Sequence, residues 1–376
     1  MNYIISNNPS ELGLFVIWPR YVHLQEKIID SIQSKFKIRI IQKMKWSKEK
    51  LRLNYYRFYG DKLSTSSIKE KQGNGETFIV IVFEDETPIS QIVLTARGIE
   101  KVNGNFFSQK SSLRNHFKTK FGFHASNSVD ETRRDLMLLL GITLQDIPNN
   151  LVSSNTIMQR DITGFNNWKS FDQLFRFLNE VDPYVVLRNE STIFEEKFQE
   201  DIDFLCYNPK KFALFLNAKK QSRGYERANY EITVGSVRIP VDLRYIGDGY
   251  FDCKWQENCL KSRIKSERNV YILDNQNLYF SLAYHSFIHK KSFPEKYSAF
   301  FKIAQEELRY KLYEFMNHNN YQMVEPEDIT LFFNVNNGGT IKFSKYRRRR
   351  YKKGLKASFK RFFYSFSKLL FVKSPY

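Results

Sequence analysis

The chain has 376 residues, 42% of them hydrophobic, with 34 Phe and 22 Tyr, enough apolar surface for two cores of roughly 150 residues each and too much for a disordered chain. Its formal net charge is +19, but thirteen Lys or Arg and no acid lie from Lys342 onward, leaving +6 on the first 341 residues, so the basicity belongs to the C-terminal end. Three cysteines, Cys206, Cys253 and Cys259, are too few for a disulfide framework or a four-cysteine zinc site; no secretory-signal pattern or bilayer-length apolar run is found, and a cytoplasmic location is expected.

In chain order, residues 13 to 18 predict a first strand, His23 to Lys35 a helix and Lys37 to Gln42 a second strand, with a short helix from about Ser47. Thr77 to Glu84 is an unbroken β-branched and aromatic run, as in a central strand, and Ile89 to Gly98 reads as helical. Ser128-Val129-Asp130-Glu131 is a Ser-x-x-Glu capping box opening a helix with Leu136, Met137, Leu139 and Leu140 as its apolar positions. The alternation of strands and helices suits a ferredoxin-like α+β sheet with helices on one face, occupying residues 1 to 150. The turn-rich stretch 143 to 160 is taken as the boundary to a second domain, 160 to 322.

There, Ser170 to Glu180 predicts a helix, Tyr184 to Leu187 a strand, Asp201 to Cys206 a strand, and Pro209 to about Lys219 a helix. Glu231 to Val234 and Val237 to Tyr245 flank Gly235-Ser236 as a hairpin, and Asn277 to Lys290 and Tyr297 to Asn317 predict helices. A connecting segment, 323 to 345, leads to a basic tail, 346 to 376.

Strand alternation sends Asp201 and Asp203 to one face, where two carboxylates so close call for a cation such as Mg²⁺ or Mn²⁺ between them. Asp242, in Ile-Pro-Val-Asp-Leu-Arg, could complete a three-carboxylate site. The order of elements over residues 165 to 295, with these three aspartates, resembles the nucleotidyltransferase-fold superfamily, a mixed-sheet fold. That resemblance implies a metal-dependent transferase with Asp201, Asp203 and Asp242 as metal-binding and catalytic residues. The family's Gly-Ser pair after the first strand is absent; Leu187-Arg188-Asn189-Glu190-Ser191 stands there, so Arg188 and Ser191 are the candidate phosphate donors, with pairing of Arg188 to Glu190 as the alternative. A similar Leu-Arg-Asn loop occurs in a subgroup found beside bacterial surface-polysaccharide genes. His285 and His289 lie four apart on one helical face and are assigned to packing or substrate contact, and Asp248 and Asp252 to a turn.

In the first half, Phe123-His124-Ala125-Ser126-Asn127-Ser128 resembles the nucleoside diphosphate kinase family, the likeness extending faintly over residues 12 to 141. It implies a phosphate-accepting role for His124, phosphate binding for Arg114 and a supporting position for Tyr56. Trp18-Pro19-Arg20 departs from the family's Lys-Pro-Asp, and Asn127 replaces an acid.

The tail combines Arg347, Arg348, Arg349 and Arg350 with Phe359, Phe362, Phe363 and Phe366 at three- and four-residue spacing, the pattern of an amphipathic helix on an anionic membrane surface; packing on the protein and nucleic acid binding stay open. Together these features lead to the expectation of a peripheral enzyme at the inner membrane face. It would carry a nucleotidyl or phosphoryl group from a nucleoside triphosphate or nucleotide-linked donor to a sugar or polyol acceptor in surface-polysaccharide synthesis. A toxin or defence enzyme modifying RNA or protein, and a non-catalytic nucleotide- and membrane-binding scaffold, are the alternatives.

Overall fold

A computed structural model describes residues 9–60, 77–95, 98–195, 198, 200–220, 230–290, 297 and 300–324. The expected tail, 346 to 376, lies outside the described residues, as does most of the connecting segment. The first half opens with β1 (Glu11–Ile17), α1 (Gln25–Gln33), β2 (Lys37–Lys45), α2 (Leu51–Tyr59) and β3 (Thr77–Asp85). It continues with β4 (Ser90–Thr95), β5 (Gly98–Asn103), α3 (Gly104–His116), β6 (Phe123–Ala125), α4 (Val129–Leu139) and β7 (Val152–Gln159). The sheet order is β6-β1-β3-β2-β7, with β1, β2, β3 and β6 in antiparallel pairs. This is a ferredoxin-like order with an added strand.

Alternation along the central strands sends side chains to two faces. Phe15, Ile17, Ile79, Ile81 and Phe83 pack with Ile28 and Ile32 of α1 and Phe106 and Leu113 of α3. Leu14, Val16, Trp18, Phe78, Val80 and Val82 face the other way, onto Tyr55 and Phe58 of α2 and Leu136 and Leu139 of α4. Both faces are therefore covered, not one as a simple ferredoxin-like layer implies.

Two expectations about elements are corrected. The stretch read as helical from Ile89 is a β-hairpin, β4 paired with β5; Ile92 and Leu94 share one face by the two-residue period, and both are more than three-quarters exposed. The segment 143 to 160, read as a boundary loop, includes β7, which runs parallel to β2 and extends the first sheet. Its side chains are nearly all exposed, so the backbone ladder and not an apolar pattern holds it there. Helix α3 was not foreseen, because Gln109 and Lys110 occupy its buried side beside Phe106 and Leu113 and blur the periodicity. The expected helix at Ser128 is present: the Ser128 hydroxyl accepts from the Glu131 amide at 3.2 Å, while Glu131 reaches back to the Asn127 amide at 2.8 Å.

The second half comprises α5 (Phe171–Val181), β8 (Tyr184–Val186), β9 (Ile202–Cys206), α6 (Pro209–Phe215), β10 (Lys219–Lys220), β11 (Tyr230–Val234) and β12 (Val237–Tyr245). After these come α7 (Cys253–Lys261), β13 (Ile264–Lys265), β14 (Tyr271–Ile272), α8 (Asn275–Tyr284), a π-helical turn His285–Lys290, and α9 (Gln305–His318). Its mixed sheet has the order β10-β11-β12-β9-β8-β14-β13, with β9 parallel to β12 and antiparallel to β8. One face, through Tyr184, Val186, Ile202, Phe204, Val241 and Leu243, joins the same hydrophobic cluster as the first sheet. The opposite face, through Val185 and Leu205, packs on Tyr250, Trp255, Leu282 and Phe315. Among the described residues, no helix is long and apolar enough to cross a membrane.

Candidate functional site

The alternation that buries Ile202 and Phe204 in the shared core turns Asp203 to the other face of the second sheet. Val241 and Leu243 do the same for Asp242 and Arg244. The parallel register makes Asp203 and Asp242 direct neighbours, and both are almost fully buried, at 5% and 4% exposure. Charged groups this deep need partners. Arg188, in the loop after β8, supplies one: its Nη2 is 2.7 Å from Asp203 Oδ2. Arg244 pairs with Asp242 by a short contact.

The loop and the π-helical turn close over these pairs. Arg188 Nη1 lies 3.0 Å from the Tyr250 hydroxyl and 3.1 Å from His285 Nδ1, and His285 Nδ1 lies 3.2 Å from His289 Nδ1. His289 Nε2 is 2.9 Å from the Tyr250 carbonyl, and the Arg244 guanidinium sits 4.5 Å from the centre of the Tyr250 ring. Burial works against the Arg188 charge, but Asp203, Tyr250 and Tyr297 together outweigh it and hold its pKa well above the ordinary value. Burial, reinforced by the charges of Arg188, Arg244 and Lys290, pushes His289 well below the usual imidazole range, so its ring is neutral. Burial also pushes the Tyr250 hydroxyl up, to about 12.

Of the residues proposed from sequence, Arg188, Asp203 and Asp242 come together. Asp201 lies one residue before β9 and is part-buried. Ser191 is exposed on a 3-10 turn, Glu190–Thr192, and Glu190 accepts from the Ser266 hydroxyl, so the expected alternative partner of Arg188 is engaged elsewhere. His124, Glu131 and Asp135 converge within 4.8 Å of one another. As donors Asp201, Asp203 and Asp242 suit Mg²⁺ or Mn²⁺ in type and in strand placement. Asp203 and Asp242 are nonetheless neutralised by guanidinium groups, so a cation fits only where those groups move aside.

Sequence reasoning passed over Tyr250 and Arg244. Arg244 was legible, since i and i+2 on a strand share a face; Tyr250 sits in Gly-Asp-Gly-Tyr-Phe-Asp, where Asp248 serves a turn as expected and Asp252, also assigned to a turn, instead caps the next helix. Asp248 accepts from the Tyr250 amide at 2.9 Å, and Asp252 caps α7 by accepting from the Lys254 and Trp255 amides.

A second polar cluster surrounds His124 on β6. Its Nε2 lies 2.6 Å from Asp135 Oδ2, and Asp135, fully buried, also takes Arg134 Nη2 at 2.6 Å and Nε at 2.9 Å. Arg134 reaches Glu131 at 3.0 Å as well. The carboxylates that could join His124 around a metal are thus bridged by an arginine. Arg114 donates from Nη2 to the Phe123 carbonyl at 2.8 Å, supporting the strand beneath the histidine. Tyr56 instead takes a bond from Arg52; the tyrosine whose ring meets His124 is Tyr59, 6.0 Å between centroids, with Phe58 at 5.0 Å. Lys110 is within reach of the Ala125 carbonyl, at 3.3 Å, and of Asn127.

No family model matches the chain, and no curated protein matches it. Among solved structures it is similar to a crystal form of the Aquifex aeolicus nucleoside diphosphate kinase, with 17% identity over 37% of this chain and 99% of that one, at a TM-score of 0.26. The ferredoxin-like order stands on the strand registers themselves, independently of that likeness.

Proposed function

We propose that the Arg188–Asp203–Asp242–Arg244 cluster transfers a phosphoryl or nucleotidyl group from a nucleoside triphosphate or nucleotide-linked donor to a hydroxyl. The acceptor in this reading is a sugar or polyol of surface-polysaccharide synthesis, as the Leu-Arg-Asn loop implies. The observation that carries it is the in-register burial of Asp203 beside Asp242, with a guanidinium 2.7 Å from Asp203 and a tyrosine and two histidines holding the far side. Stability alone is a weak reason for such pairs, since replacing both partners by apolar residues of similar volume is often neutral or stabilising.

In the reaction, Arg188 grips phosphate oxygens with its planar fork, and Tyr250 and His285 hold that fork in orientation. Asp242 accepts the proton of the attacking hydroxyl as its oxygen bonds to phosphorus and the phosphoanhydride bond breaks, the leaving group being a nucleoside diphosphate in phosphoryl transfer from the triphosphate, pyrophosphate in nucleotidyl transfer from it, and the phosphorylated remainder of a nucleotide-linked donor. A divalent ion on Asp201, Asp203 and Asp242 would supply further charge compensation to the phosphoryl oxygens.

The test is transfer of label from α- and γ-labelled nucleoside triphosphates to a panel of sugars and polyols by the full chain. Asp201→Asn should abolish transfer while far-UV circular dichroism shows the chain still folded. Asp203→Asn does not separate chemistry from folding, because Asp203 is paired with Arg188 and removing one partner of a buried pair costs about 3–5 kcal/mol. Asp203→Asn combined with Arg188→Gln removes both charges and is the better-folded inactive control. Full transfer by both variants would reject the reading.

A second reading is favoured by the Asp135 contact with His124. A carboxylate at Nε2 fixes that nitrogen as the donor and leaves Nδ1, which has no hydrogen-bond partner among the described residues, as the nucleophilic atom. Acid-labile label on His124 after incubation with γ-labelled ATP, lost in His124→Gln, would support it; an unlabelled chain would reject it.

A further inference from the structure

We infer that this site takes its divalent cation and its polyphosphate only together, with Arg188 occupying the cation's place on Asp203 until phosphate oxygens draw it away. The inference rests on the transfer reading for the identity of the ligands, but on the ion pairs alone for the coupling. Two buried carboxylates each face a guanidinium group, Asp203 that of Arg188 and Asp242 that of Arg244. A bare divalent ion entering this space meets two positive groups held in place by their neighbours. Bare polyphosphate meets two carboxylates. Either ligand alone would strand a buried charge, the arrangement that low-dielectric surroundings penalise most. A cation bound to polyphosphate presents both signs at once: the Arg188–Asp203 pair exchanges for a carboxylate–metal and a guanidinium–phosphate pair.

Arg188 is the group placed to move. Its side chain is 16% exposed against 7% for Arg244, and it stands in a loop beside Asn189, whose backbone is left-handed. Its Nη1 is anchored by Tyr250 and His285, so a swing about that nitrogen would take Nη2 off Asp203 while the side chain keeps its place. Arg244 is more deeply buried, with its guanidinium 4.5 Å from the centre of the Tyr250 ring, and stays on Asp242.

The experiment is titration of the full chain with Mn²⁺ alone, followed by the electron paramagnetic resonance of unbound Mn²⁺, with ATP alone in EDTA, and with both, each followed by calorimetry. The wild type should bind Mn²⁺ and ATP together and neither one alone. Arg188→Met should bind Mn²⁺ alone at least about tenfold more tightly than the wild type, within the usual range of coupling between sites, and should lose ATP. Should that variant fail to fold, Tyr250→Phe, which removes one anchor of Arg188, should show the same gain in smaller measure. Wild-type affinity for Mn²⁺ alone equal to that of the variants would overturn the inference and leave the transfer reading intact. Joint binding and the Arg188→Met gain without transfer to any acceptor would uphold the inference and reject the transfer reading.

Discussion

Replacing Arg57 with methionine is expected to loosen the junction between the two halves of the protein. Arg57 lies on α2 and is fully buried, with no carboxylate among its hydrogen-bond partners; its guanidinium donates to the carbonyls of Thr163, Leu214 and Phe215, each at 2.9 Å, and lies 3.5 Å from that of Ile162. Leu214 and Phe215 end α6, where backbone carbonyls lack helical partners and a cation is favourable. The rings of Phe165 and Phe177 lie about the guanidinium, at 5.9 and 6.0 Å. Methionine fills much of the volume and strands three carbonyls at about 1–3 kcal/mol each, a loss offset by several kcal/mol because a charge is no longer held out of water. The net destabilisation is about 2–4 kcal/mol, a fall in urea midpoint of about 1 M for a slope near 3 kcal/mol per M. Arg57→Lys keeps the charge but cannot span carbonyls on both sides, and should lose about half as much. Urea unfolding followed by tryptophan fluorescence and far-UV circular dichroism measures both. A midpoint for Arg57→Met within about 0.2 M of wild type would refute the clamp.

Gly164 has φ +78° and a Cβ there would meet the Trp168 ring at 2.2 Å, so Gly164→Ala should cost about 2–4 kcal/mol in thermal unfolding. Gly247→Ala, at φ +85° with nothing within 4 Å, should show only the backbone cost of about 1–2 kcal/mol. His289 has a folded pKa well below its ordinary 6.5, so the unfolded chain takes up its proton first: the stability it contributes is full above that value and is lost as pH falls toward the folded pKa, at up to about 1.4 kcal/mol per pH unit. His289→Gln should flatten that part of the stability–pH curve, and an unchanged slope would contradict a buried neutral ring. Asp135→Asn should cost about 3–5 kcal/mol by leaving Arg134 underpaired, and nitrogen NMR should show His124 losing its single fixed tautomer.

What local spacing carries, the sequence announced. The run Thr77 to Glu84 reads as a central strand, Ser128 as a helix cap, and the two-residue period places Asp203 opposite Ile202 and Phe204. Those features depend on residues within a few positions of one another, where backbone geometry fixes the relation. Other features depend on where distant segments meet. Ile89 to Thr95 carries alternation too short to separate from a helix, and β7 is held by the edge of β2 without an apolar signal of its own. The metal reading of the aspartates failed to anticipate their partners for the same reason. Asp242 finds Arg244 two residues along its own strand, but Asp203 meets Arg188 from the loop after β8, and Tyr250 and His285 arrive from 35 residues apart to hold that arginine. Sequence determined which groups carry charge and which face of a strand they take. Only the tertiary structure decided which opposite charge each one meets, because Coulomb energy depends on distance through space and on burial, and neither is written in the order of residues along the chain.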